Sequence, residues 1–218
     1  MIRFSLTGVL LLATVALADG PNFSGGGFLF SIQYGPGFWG VDRAKLVNQV
    51  GAELADTFIT DAQNTHTVSI RAGYNIKGHA SISADLTGTG WNLTLPAKGG
   101  GGWLTGTVHW HPLELVFMNK EKRPIPFDVS PFFGVGYSIV GQKTGMDGLI
   151  FQTGLNADYF FTRYFGLGVF FRAFFLDYDK FYLDYYNRDL PGSTIGLPQH
   201  SGGNFFTFGL SLHFRAGD

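Results

Sequence analysis

His109 and His111 stand two residues apart in the run from Trp103 to His111, so on an extended backbone both imidazoles project to one side. Such a pair can bind a metal ion, or one ring can serve as a base when a carboxylate orients it. No Ser adjoins them in sequence; Asp85, on the preceding alternating stretch, is the candidate orienting group. His200 and Ser201 are adjacent among Pro198, Gly202 and Gly203, and adjacent strand residues point to opposite sides, so this spacing assembles no His–Ser pair. Packing inside the protein is the reading taken for these histidines, and no catalytic residue, metal site or cofactor is assigned. A third group mixes acidic and aromatic residues in a predicted loop. Asp179, Tyr182, Asp184 and Tyr185 are its candidate contacts for a partner, with divalent cations able to bridge carboxylates to phosphate groups.

Extended segments must position these groups. Eight stretches alternate apolar with small or polar residues at the period of a strand. Gly27–Gly35 opposes Phe28, Phe30, Ile32 and Tyr34 to Gly27, Ser31 and Gln33, and His66–Lys77 opposes Val68, Ile70, Ala72, Tyr74 and Ile76 to Ser69, Arg71, Gly73 and Asn75. Ala80–Thr87, Trp103–His111 and Ser130–Val140 repeat the pattern, with Asp85, the two histidines, and Gly134, Gly136 and Ser138 on the polar sides. Leu149–Phe161 sets Gln152, Gly154, Asn156 and Asp158 against Phe151, Leu155, Ala157 and Tyr159. Tyr164–Asp177 is nearly all apolar; taking Leu167, Val169, Phe171, Ala173 and Phe175 as one face leaves Gly166, Gly168 and Arg172 on the other. The last stretch opposes Phe206, Phe208, Leu210, Leu212 and Phe214 to Thr207, Gly209, Ser211 and His213.

Composition indicates the solvent these faces meet. Of 218 residues only 14% are charged, while Gly counts 32 and Phe 23, which is poor in charge and rich in aromatics for a surface in water. A net charge of −1 provides no electrostatic footprint for nucleic acid. Without Cys there is neither a disulfide framework nor an acylated cysteine. Residues 1–18 read as a secretory signal, with Arg3, an apolar Phe4–Val15 and Ala16-Leu17-Ala18 at the cleavage site, leaving 19–218 as one domain. That apolar run falls short of the roughly 20 residues a spanning helix needs.

Gly37-Phe38-Trp39 resembles the Gly-x-Trp of the lipocalins, whose barrel turns its apolar face inward. Here that arrangement would leave Ser, Thr, Gly, Gln and Asn outside with scarcely any Lys or Glu, and would crowd more aromatic rings inside than a narrow interior holds. The opposite polarity is expected: an all-β, closed antiparallel transmembrane barrel of about eight strands. At that size the lumen holds side chains only, so Arg71, Asp85, His109, His111, Asp158 and Arg172 should join in a luminal polar network, with Gly73, Gly134, Gly136 and Gly154 making room. Leu46, Val47, Val50 and Leu54 recur at helical spacing within Val41–Ala55, predicting a short amphipathic helix in the first outer loop. Tyr34, Tyr74, Trp91, Trp103, Trp110, Tyr137 and Tyr159 suit headgroup anchors. Long connections at 35–65, 88–102, 141–148 and 178–203 fall on the outer side and short ones at 77–79 and 162–163 on the inner, with 112–129 an unusually long inner turn.

Pro131-Phe132-Phe133-Gly134-Val135-Gly136-Tyr137 and Phe151-Gln152-Thr153-Gly154-Leu155-Asn156-Ala157-Asp158-Tyr159 resemble consecutive strands of the small outer-membrane barrels of the OmpA/OmpX type. Thr207, Gly209, Leu212 and Phe214 resemble the carboxy-terminal signal read by the barrel-assembly machinery, although Arg215 to Asp218 follow the final aromatic. The resemblance implies a bacterial outer-membrane location, contact with lipid and lipopolysaccharide, and use of the assembly machinery during biogenesis. The expected role is a non-enzymatic scaffold or interaction component of the cell envelope, with a protein partner at the outer loops. The alternatives are a narrow OmpW-like channel for small hydrophobic molecules and a lipid-A-modifying enzyme.

Overall fold

In the computed structural model, eight antiparallel strands close into a single barrel. The residues described are 26–41, 47–49, 51–52, 65–76, 79–91, 99–113, 126–141, 145–162, 164–184, 187 and 189–216, without the side chains at 39, 41, 91, 99 and 198–202. The leader read at 1–18, Tyr185, and the side chains of Trp91, His200 and Ser201 lie outside them. In chain order the strands are β1 (Gly27–Val41), β2 (Thr65–Ile76), β3 (Ala80–Trp91), β4 (Gly99–Trp110), β5 (Phe127–Gly141), β6 (Gly145–Phe160), β7 (Phe165–Tyr182) and β8 (Thr194–Ala216). Each pairs with its sequence neighbour and β8 returns to β1, so the ring has no open edge.

The alternation along each strand aims outward as the composition required. Leu86, Leu104, Phe133 and Leu210 are 57%, 58%, 58% and 69% exposed on the outer wall, while Ser31, Thr67, Gln152 and Thr207 are buried within. This is a polar-in, apolar-out barrel and not the lipocalin arrangement.

Local chemistry ends and joins the strands. Between β6 and β7, the Thr162 hydroxyl accepts from the backbone amides of Tyr164 at 3.2 Å and Phe165 at 3.0 Å, holding a tight reversal. At the β1–β8 seam the backbones approach so closely that a Cβ on Gly209 would overlap the Tyr34 carbonyl, and one on Gly35 the Phe208 carbonyl. Glycine is therefore required on both sides of the closure.

Several boundaries differ from the sequence reading, because ladder pairing carries strands past the point where alternation fades. β4 starts at Gly99 and β5 ends at Gly141, so the connections expected at 88–102 and 141–148 shrink to 92–98 and 142–144. The last outer connection, expected over 178–203, spans only 183–193; β7 and β8 continue as a wall with register shifts at Asp147/Gly148 and Tyr178/Lys180. The long inner turn ends before Phe127, which places Asp128 inside β5. Of the helix expected within Val41–Ala55, residues 47–49 are helical and the Gly51 amide donates to the Val47 carbonyl at 2.9 Å.

Candidate functional site

Two layers fill the lumen. The layer nearer the end where β1 begins and β8 finishes is polar, and it holds the predicted network residues in several groups, each with partners from other strands. Arg71 and Asp85 are register partners across β2 and β3. Arg71 donates to the Asp85 carboxylate from Nε at 3.0 Å and from Nη2 at 3.2 Å, a two-point grip that fixes both side chains. Arg172 Nη2 reaches the same carboxylate at 3.2 Å from β7. Two guanidinium groups thus share one carboxylate. The Phe132 ring lies 5.4 Å from the Cζ of each, so its electron-rich face offsets part of the surplus positive charge.

Small residues create the space for this arrangement. Phe132 on β5 faces Gly154 on β6, where a Cβ would come within 2.6 Å of the ring. Gly134 and Gly136 leave β5 bare, and over that gap Gln152 Nε2 on β6 donates to Thr105 and Thr107 on β4, at 2.6 Å each. The Gln152 carbonyl accepts from Arg172 at 3.4 Å, tying the bridge to the charged cluster.

The histidines are held separately. The His109 ring lies tilted against Phe132 with centroids 5.0 Å apart, and its Nε2 is 3.3 Å from Ser83 Oγ. His111 stands between Ser81 Oγ, 3.0 Å from its Nε2, and Asp128 Oδ2, 2.8 Å from its Nδ1. The carboxylate orienting a histidine is thus Asp128, whereas the sequence reading nominated Asp85, which the two arginines occupy. Asp158 Oδ1 accepts from Ser211 at 3.1 Å and stands 3.0 Å from His213 Nε2. Asp128 and His213 were not among the predicted network residues. His213 was legible by parity on the last stretch; Asp128 was hidden by its assignment to a turn.

The outer layer is apolar. Trp103, Val140, Met146, Ile150, Phe174, Leu176, Tyr178, Phe181, Leu197 and Phe205 form one buried cluster, with Val47 of the loop helix and Leu183 packed against it. Trp103 contacts Phe174 and Phe205 edge-on at 5.0 and 5.4 Å. Its assignment as a headgroup anchor is corrected: it shares the inward parity of Thr105 and Thr107. Tyr34, Tyr74, Trp110, Tyr137 and Tyr159 do face outward. Of the outer contact candidates, Asp179 is exposed and Asp184 accepts from Asn187 at 2.8 Å. Tyr182 is buried at the end of β7 and donates to Asp147 at 2.6 Å, so it belongs to the wall and not to the loop. Thr207 is buried in the lumen and donates to the Pro36 carbonyl at 2.8 Å, Leu212 and Phe214 lie on the outward face, and Arg215 continues the ladder opposite Leu29.

No family model matches the chain, and no curated protein matches its sequence. Among solved structures it is similar to Neisserial surface protein A, at a TM-score of 0.51 and 9% identity over 86% of this chain and 96% of that one. The N-terminal barrel domain of Pseudomonas aeruginosa OprF aligns at a TM-score of 0.38 with 10% identity, covering 87% and 99%. The outer membrane protein AlkL aligns at 0.43 with 11% identity, covering 91% and 92%. In its closed eight-stranded ring the chain has the fold of the small outer-membrane barrels, as the strand motifs at 131–137 and 151–159 implied.

Proposed function

We propose that the protein is an integral outer-membrane barrel whose lumen is a two-layer plug and whose role is that of a scaffold, exercised through its outer end. The observation that carries this reading is polarity. A wall of Leu, Ile, Val, Phe and Tyr side chains surrounds an interior where Arg172, Asp85 and Gln152 are wholly buried, with Arg172 contacting both of the others. Only a solvent of acyl chains makes both halves of that arrangement favourable. The exposed carboxylate of Asp179 and the acidic–aromatic segment after it suit contact with lipopolysaccharide through divalent cations, or with an envelope protein. Fractionation tests the location: the protein should remain with outer membranes after carbonate extraction and migrate faster in gels unheated than boiled, and recovery in the soluble fraction would refute it. Pull-down of partners with and without residues 183–193 tests the outer role.

A second reading, a narrow path for small hydrophobic molecules, is favoured by the apolar outer layer around Trp103 and Phe174. Uptake of alkanes into cells with and without the protein separates the two.

A further inference from the structure

Ser81 on β3, His111 just past β4 and Asp128 on β5 form one hydrogen-bonded chain. Ser81 opposes His109 in the β3–β4 ladder, so His111, the first residue past β4, is its diagonal neighbour. The His111 amide donates to the His79 carbonyl at 2.9 Å, which prolongs the ladder by one step and fixes the imidazole over Ser81. Asp128 stands at the start of β5, the next strand round the ring from β4. An ionised carboxylate only accepts, so the 2.8 Å contact puts the imidazole proton on Nδ1 and leaves Nε2 to accept from the Ser81 hydroxyl at 3.0 Å. That tautomer and that order of contacts are those of a hydrolase triad.

The chain borders space. A cavity of about 30 Å³ at this end of the lumen is lined by Ser81, His111 and Asp128 together with Phe30, Arg71 and Phe160. An engineered cavity of about 150 Å³ accommodates benzene, so this one admits a group of one or two heavy atoms. Arg71 lines the same cavity, and a guanidinium N–H is a suitable donor to an oxyanion.

We propose that Ser81, His111 and Asp128 hydrolyse short acyl esters, acetyl esters first, that approach from the end of the barrel where Gly27 and Ala216 lie. This goes beyond the scaffold reading and does not depend on the outer loops. Ser81 Oγ attacks the ester carbonyl carbon as its proton passes to His111 Nε2. The bond from that carbon to the alcohol oxygen breaks, and the leaving oxygen takes the proton from Nε2. Water repeats the sequence on acyl-Ser81, releasing the acid and restoring the hydroxyl. Asp128 holds the ring and stabilises the imidazolium without itself exchanging a proton.

The test uses the full chain refolded in detergent. Incubation with methanesulfonyl fluoride, whose methylsulfonyl group is close to acetyl in size, should give one methylsulfonyl adduct, mapping to Ser81. 4-Nitrophenyl acetate should be hydrolysed at least tenfold faster than the octanoate, and Ser81→Ala and His111→Gln should each remove about a hundredfold or more of the acetate activity. The unheated gel mobility of each variant reports that the barrel is intact. Ser81→Ala deletes a single oxygen and carries the test even where His111→Gln does not fold. Absence of an adduct at Ser81 in the folded barrel, or acetate hydrolysis unchanged in Ser81→Ala, would overturn the proposal.

Discussion

Asp85 on β3 and Arg172 on β7 meet at 3.2 Å from strands four places apart in the ring of eight, and neither side chain is exposed. The pair spans the width of the barrel, so it can form only once the ring has closed. With Arg71 gripping the same carboxylate from β2, the cluster couples the paired strands β2 and β3 to β7, which shares a ladder with neither. Removing the carboxylate would leave two buried guanidinium groups uncompensated. Asp85→Asn should therefore lower stability by about 3–5 kcal/mol, read from the urea unfolding midpoint in lipid vesicles. Arg172→Met should cost less, because Arg71 continues to satisfy Asp85; equal losses would contradict the shared-carboxylate geometry.

Gly154 is a packing requirement for Phe132. A methyl group there would overlap the Phe171 carbonyl and press on the Phe132 ring, which lies beside both arginines. Gly154→Ala should cost about 1–3 kcal/mol. Gly88→Ala, at a position with open space around its missing Cβ, should leave the same unfolding curve unmoved.

Trp103 centres the apolar layer, so Trp103→Ala should empty a cavity and cost about 3–5 kcal/mol. Planar-bilayer recordings should nevertheless show no large stable openings in either the wild type or this variant, because the polar layer beneath still fills the lumen. A conducting Trp103→Ala barrel would show that the polar layer does not seal by itself.

Leu86 lies near the middle of β3 on the outer wall and is 57% exposed. Leu86→Arg should reduce stability in lipid by about 2–4 kcal/mol, whereas Ile76→Arg, at the last residue of β2, should cost about 0–1 kcal/mol. Indistinguishable penalties would mean that the bilayer is not centred on this belt.

The period-two alternation made the strands, their order and the direction of each apolar set legible, because side-chain direction in a strand is a local property. It also placed Arg71, Asp85, His109 and Asp158 inside, whereas on the nearly all-apolar β7 the pattern alone did not fix the choice that put Arg172 there. Where parity was set aside in favour of residue type, the reading failed: Trp103 was assigned to the membrane interface although it shares a face with Thr105. Strand ends were less legible, since Gly99 to Gly102 carries no alternation and becomes β4 only through pairing with β3 and β5.

What the sequence by itself determined is therefore which residues share a face, and through composition, that the apolar face is the outer one. Which inward residues meet was decided by the tertiary structure. Ser81 finds His111 and Asp128 only through the register of β3, β4 and β5, and Asp85 finds Arg172 only after closure brings distant strands to one level. Closure depends on every ladder at once, and no local pattern records either meeting.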